Sequence, residues 1–111
     1  MEPAQRDALR AQLKALHAEL SASLTGAGDR AGTVDLDQSA VGRLSRVDAL
    51  QQQAMAQAQE RRLELRLKTV VNALARVETD RFGECLRCGE DIPERRLRAR
   101  PEAPFCLACT A

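Results

Sequence analysis

Cys85-Leu86-Arg87-Cys88-Gly89 and, after 17 intervening residues from Cys88, Cys106-Leu107-Ala108-Cys109-Thr110 decide how this chain is read. Each C-x2-C pair closes a tight turn that points two thiolates at one ion, and the loop between the pairs lets them meet as a tetrahedron. Gly89, directly after the second cysteine, suits the positive φ that such a turn asks for, whereas Thr110 holds the equivalent place in the other pair. Four thiolates fill a tetrahedron and leave no position for water. The expected centre is therefore one structural Zn²⁺ held by Cys85, Cys88, Cys106 and Cys109, without hydrolytic chemistry. Iron in the same four-sulfur cage is the rival metal. A redox dithiol is the weaker reading, since one pair would suffice for it.

Around these turns, residues 81–111 read as one small module. Phe82, Ile92, Leu97 and Phe105 are its expected miniature core, and the two phenylalanines are the only aromatic residues in the chain. Arg87, Arg95, Arg96, Arg98 and Arg100 alternate with Glu84, Glu90, Asp91, Glu94 and Glu102. A zinc tetrathiolate carries two negative charges, so the first reading of the arginines is charge compensation on a wetted surface. Arg95, Arg96, Arg98 and Arg100 are also the candidates for contact with phosphates or an acidic partner.

Upstream, residues 1–80 read as a helical hairpin. Pro3 suits a first helical turn, and Leu9, Leu13, Leu16, Leu20 and Leu24 recur at spacings of four and three, so a first helix is expected over about residues 3–24. Gly26, Gly28 and Gly32 mark a connector over residues 25–38. Beyond it, residues 39–81 contain no proline and form a second expected helix, with Asp37 or Ser39 as its cap. Leu63, Leu67, Val70, Leu74 and Val77 make its strong stripe; Val41, Leu44, Val47, Leu50, Ala54 and Ala58 drift around the other half. If the helices meet at the connector, the first covers only Ser39 to about Arg61, and the strong stripe needs the module, a second copy or another protein. Otherwise the first helix slides along the second and the connector stretches.

Composition bounds the rest. The chain has 111 residues, 30% of them charged, at a formal net charge of +1, which gives no support for strong non-specific nucleic-acid binding. No apolar run approaches a membrane span, and residues 1–10 carry Glu2 and Asp7 with no signal-peptide core, so a cytoplasmic location is expected. No phosphate-binding loop, nucleophile elbow or dinucleotide fingerprint is present, so an enzyme is not expected.

The run Arg81-Phe82-Gly83-Glu84-Cys85-Leu86-Arg87-Cys88-Gly89-Glu90-Asp91-Ile92, followed by Arg95-Arg96-Leu97-Arg98-Ala99-Arg100-Pro101 and the second cysteine pair, strongly resembles the DksA/TraR family of bacterial transcription factors. The resemblance implies a C4 zinc finger beside a long helical hairpin. It also implies entry of that hairpin into the secondary channel of RNA polymerase without sequence-specific DNA contact, and in many members joint action with the alarmone ppGpp. Family members carry an Asp-x-x-Asp-x-Ala tip; the local sequence here is Asp35-Leu36-Asp37-Gln38-Ser39-Ala40, with the aspartates two apart. Asp35 and Asp37 are the candidate tip residues. The longer members also continue into a C-terminal helix, where this sequence has Thr110 and Ala111. Two other functions compete: a zinc-finger module binding nucleic acid through its arginines, and a self-associating adaptor using the Leu63–Val77 stripe. The sequence is compatible with a monomer and with a dimer.

Overall fold

The computed structural model describes residues 1–30 and 43–110, apart from the side chains of residues 27–30 and 43–45. Among the described residues four helices follow in chain order: α1 (Pro3–Arg30), α2 (Arg43–Arg76), α3 (Glu94–Ala99) and α4 (Leu107–Thr110). α1 and α2 pack along each other as the expected hairpin, and the two short helices belong to the C-terminal module. The molecule measures 62 × 27 × 18 Å. The helices run antiparallel: Arg10 in the third turn of α1 grips Glu78, just past the end of α2, with Nε–Oε1 at 2.9 Å and Nη2–Oε2 at 3.1 Å. Asp7 holds the same guanidinium from one turn earlier at 2.7 Å.

That clamp fixes the register, and the register resolves how the strong stripe is covered. Leu9, Leu13 and Leu20 of α1 are buried in one cluster with Val70, Ala73 and Val77 of α2; Leu16, Leu63, Leu67 and Leu74 pack against it. The first helix has slid toward the module, and its leucines cover the stripe within the same chain. With each helix rising ~1.5 Å per residue, Arg10 beside Glu78 sets Arg30 opposite roughly residue 58 of α2.

Two expected boundaries are corrected. α1 does not stop near Leu24; residues 25–30, including Gly26 and Gly28, stay helical. An established helix extends at the cost of propagation alone, and a glycine there costs about 1 kcal/mol relative to alanine without stopping it. α2 ends at Arg76 and not at Arg81. The Thr79 hydroxyl and amide both donate to the Arg76 carbonyl, at 2.7 and 2.8 Å, and close the helix early. The chain then turns through Gly83 at φ 97° and buries Phe82 in the module. The remaining connector, residues 31–38, the expected start of the second helix at 39, and the tip residues Asp35 and Asp37 lie outside the described residues.

The half of α2 away from the module departs from its expected stripe as well. Counting back from Val77 in alternating steps of three and four, the seam passes through Leu74, Val70, Leu67 and Leu63. It then continues through Glu60, Ala56, Gln53 and Ala49, all of them half-buried. Among the described side chains of this half, the larger apolar residues Val47, Leu50 and Met55 point outward at 45, 44 and 70% exposure. Of the drifting stripe, Val47, Leu50 and Ala54 are thus exposed and Ala58 is half-buried, while Val41 and the Leu44 side chain lie outside the described residues; the seam here is built of small and polar side chains.

Candidate metal centre

The module is assembled from two knuckles and a small core. The first knuckle hangs on a short antiparallel bridge between Glu84 and Asp91. The Ile92 amide donates to the Gly83 carbonyl at 2.7 Å and the Cys85 amide to the Glu90 carbonyl at 2.8 Å. Gly89 takes φ 78°, as its place in the turn requires, and its amide donates to the Cys85 carbonyl at 3.0 Å. In the second knuckle the Cys109 amide donates to Cys106 at 3.1 Å and α4 begins at once. Phe82, Ile92 and Leu97 are buried, joined by Cys85 and partly by Phe105, and this core is continuous with the hairpin seam. α3 starts behind Pro93, whose carbonyl accepts from the Arg96 and Leu97 amides, and it stops before Pro101.

All four Sγ atoms lie within 4.8 Å of one another, and Cys88 and Cys106 are 3.7 Å apart. A tetrahedron with Zn–S bonds of ~2.3 Å has sulfur–sulfur edges of roughly 3.8 Å, so the cage has the size of one zinc ion. The donor set of four thiolates suits zinc chemically and leaves it coordinatively closed. Cys85 is buried, Cys106 and Cys109 are half-buried and Cys88 is exposed.

As free thiols the four are unequal. Burial pushes the Cys85 thiol up, but backbone N–H groups of Cys88, Cys106 and Arg87 outweigh it and bring it down to about 6. The Arg87 amide is 3.4 Å from its sulfur. Cys109 moves the other way, to about 12, because its hydrogen bond with Cys106 and its desolvation both favour the protonated form. Cys88 receives the Glu90 amide, which lowers it, yet ends above the ordinary thiol range through its contact with Cys85, its desolvation and its contact with Cys106. Zinc must expel the protons from Cys88 and Cys109, so rising pH removes a competitor and tightens binding. Zinc affinity is expected to fall at least roughly 100-fold per unit as pH drops from about 8 to about 6.5, with Cys88 and Cys109 alone contributing about tenfold each. Competition with a chromophoric chelator measures this, and a flat profile contradicts it.

Arginines hold the knuckles to each other and to the core. The Arg87 guanidinium lies over the Phe105 ring, 4.9 Å from its centre, and donates to the Cys109 carbonyl at 2.9 Å. Arg96 donates to the Phe105 carbonyl and to the Thr110 hydroxyl, each at 3.0 Å. Of the four arginines proposed for phosphate or acidic-partner contact, Arg96 is thus an internal strut and Arg98 pairs with Glu94 one turn away on α3. Arg95 and Arg100 stand exposed.

One residue of the module carries a role that its sequence context barely signals. Glu102 is only 3% exposed; its Oε1 accepts from Arg66 of α2 at 3.1 Å, and its Oε2 is buried without a partner. It anchors the loop before the second knuckle to the hairpin, and the Gln12 side chain of α1 does the same for α3 by donating to the Arg98 carbonyl at 3.1 Å. In sequence Glu102 is one acid among many; the only hint is its frame of Pro101, Ala103 and Pro104. A cavity of about 680 Å³ lies between the first turns of α1 and the module, lined by Ala8, Leu9, Phe82, Ile92 and Leu97 among others. None of the four cysteines lines it.

Residues 80–111 match the family model of the prokaryotic dksA/traR C4-type zinc finger. The chain is similar to the RNA polymerase-binding transcription factor DksA of Escherichia coli K12, with 42% identity over 62 residues, covering 49% of this chain and 41% of that one. It is likewise similar to the DksA of Haemophilus influenzae, with 46% identity over 43 residues, covering 39% and 30%. These alignments span less than half the length of the curated relatives. Among solved structures, transcription factor DksA2 from Pseudomonas aeruginosa superposes with a TM-score of 0.78 at 28% identity, over 97% of this chain and 81% of that one. Hairpin, closed four-cysteine cage and family match coincide in one molecule, and the chain is a DksA-like protein with a C4-type zinc finger.

Proposed function

We propose that this chain is a non-enzymatic, cytoplasmic transcription regulator that binds RNA polymerase through the secondary channel and not through specific DNA. The observation that carries the reading is the architecture. A rod 62 Å long and 18 Å across in its thinnest dimension is braced at one end by the zinc module, and it resembles DksA2 over nearly all its length. The hairpin, residues 1–80, and the module, residues 81–111, then have separate work: the module steadies and orients, and the hairpin reaches. Asp35 and Asp37 stand between α1 and α2 in sequence, and we assign them the contact near the polymerase active site. The alarmone ppGpp is the candidate co-effector.

The competing functions lose support on particular residues. A phosphate-binding face on the module would draw on Arg96, which is held as a strut by the Phe105 carbonyl, and on Arg98, which already pairs with Glu94 on the surface of α3. A self-associating adaptor would need the Leu63–Val77 stripe free, and the leucines of α1 cover it.

The test is capture of core polymerase by the purified protein with an in-vitro transcription readout, with and without ppGpp. Wild type is compared with the doubly substituted Asp35→Asn/Asp37→Asn protein. Wild-type binding at micromolar concentration is expected, with the transcriptional effect lost in the double variant while binding survives. No binding by wild type overturns the reading.

A further inference from the structure

The cavity between α1 and the module combines an apolar floor with one uncommitted charge. Leu9, Phe82, Ile92 and Leu97 form the floor, and all four are buried. Ala4 and Ala8, one turn apart on α1, line one wall, and their small side chains keep the space open. Met1 lies at the mouth at 50% exposure, with its Cε only 2.9 Å from where a Cβ on Gly83 would stand. Gly83 is held at φ 97°, so the chain turns there without a side chain to fill the space. The unbranched thioether of Met1 is a cover that can give way. Most of the polar lining is already engaged. Gln12 donates to the Arg98 carbonyl, and the Arg98 guanidinium donates to Glu94. Gln5 and Arg98 together hold the Glu94 carboxyl below its ordinary value. The charges of Glu94 and Arg98 cancel. Asp91 differs from these: among the described residues its carboxylate has no hydrogen-bond or ion-pair partner.

We propose that this cavity binds a small amphipathic cation, an apolar body that lies on the floor and carries one ammonium group directed to Asp91. The volume, about 680 Å³, suits a small molecule, since such sites span roughly 300–1,000 Å³. The lining selects the head group. An anion would face the unpaired Asp91, and the guanidinium that could receive it is already bonded to Glu94. A bare divalent ion would find one free carboxylate, where oxygen-bound cations take about six or more ligands. A neutral apolar molecule would cover Asp91 without pairing it, at the cost of desolvating that charge. An ammonium group satisfies Asp91, while the floor takes the hydrocarbon. Occupancy bears on the joint between hairpin and module. Leu9 belongs to α1 and Leu97 to α3, so a molecule seated on both braces the joint on the α1 side. The Arg66–Glu102 pair braces it on the α2 side.

The test uses the zinc-loaded full chain and three probes with one skeleton and different heads: phenylbutylamine, phenylbutanol and phenylbutyrate. Amide chemical shifts in an NMR titration report both the place and the affinity of binding. Saturable shifts are expected for the amine, confined to residues 1–12 and 82–98, which carry the lining. The amine should bind about tenfold more tightly than the carboxylate, with the alcohol between, because reversing the head charge turns attraction to an exposed carboxylate into repulsion. Asp91→Asn should bring the three affinities within about twofold of one another. Ala8→Leu places a larger side chain on the wall and should weaken all three probes at least ~10-fold; leucine is a good helix former and Ala8 is exposed, so helix and zinc content should stay as in wild type. Absence of saturation by any probe up to millimolar concentration overturns the site. Equal affinity for the three heads, or a preference that Asp91→Asn leaves intact, overturns the cationic class. Binding that Ala8→Leu leaves unchanged overturns the cavity as its place. Shifts of the same residues on raising the protein concentration alone assign the cavity to a second copy and overturn the proposal as well. None of these outcomes depends on polymerase binding.

Discussion

Replacing Cys85 by serine is expected to unfold residues 80–110 and to leave a hairpin that melts earlier and less cooperatively. Cys85 is 3% exposed and belongs at once to the thiolate cage and to the core formed with Phe82, Ile92 and Leu97. Three large apolar side chains cannot offset the ordering of some 30 residues, at ~1–2 kcal/mol of backbone entropy each. Structural zinc in small fingers supplies about 10–16 kcal/mol at neutral pH, which closes that gap. Serine offers an oxygen that stays protonated and sits poorly in a cage sized for sulfur, so most of that contribution goes. The damage does not stop at the module. Val70, Ala73 and Val77 are fully buried in the cluster that joins hairpin and module, and Glu102 is buried against α2. Loss of the module exposes that surface and leaves Arg66 without its partner. Amide exchange should show module protection abolished, α2 protection reduced from Arg66 to Val77, and residues 46–60 unchanged. A stoichiometric zinc complex with wild-type exchange in Cys85→Ser would contradict this. Chelation of wild type should reproduce the same pattern.

Much of this molecule is legible in its residues, for physical reasons that differ from part to part. The cysteine pairs are legible because a tetrahedral ion permits few spacings, and Gly89 because its turn needs a positive φ. The leucines of α1 and the stripe of α2 are legible because packing repeats every three or four residues. The register is not, because it depends on a pair 68 residues apart, Arg10 and Glu78, that no local pattern connects. The end of α1 is missed because a glycine penalty of about 1 kcal/mol reads as a stop in sequence, yet an established helix absorbs it. The distal half of α2 misleads for a related reason. Val47, Leu50 and Ala54 look like a seam because they are apolar and well spaced, whereas the real seam is set by continuity with Leu63 and Leu67. Among the candidate site residues the metal ligands converge as their spacing requires. The arginines divide into struts and free groups according to neighbours, such as Phe105 and Thr110, that only folding brings near.

Leu13→Ala carries the largest expected loss outside the metal centre. Leu13 is fully buried, and it sits in the middle of the α1 row between Leu9 and Leu16, facing the stripe that contains Val70 and Val77. Leucine-to-alanine changes at such sites cost about 3–5 kcal/mol, the transfer of the lost methyl groups plus the cavity they leave. Collapse into that cavity is resisted from both sides. Arg10 and Glu78 hold the helix spacing on one flank, and Gln12 ties α1 to the end of α3 on the other. The upper part of that range is therefore expected, and for a chain of this size it lowers the melting temperature by about 15–25 °C. Leu50→Ala is the informative contrast. It removes the same atoms from the same kind of helix, but at 44% exposure and outside the seam, so its cost should stay under about 1 kcal/mol. The two substitutions also part on zinc retention. The seam and the module core form one cluster, so Leu13→Ala should release zinc to a chelator faster than wild type, while Leu50→Ala should release it at the wild-type rate. Equal melting temperatures in the two variants would mean that the hairpin is not held by the Leu9–Leu20 row, and that the module is braced by its own metal alone.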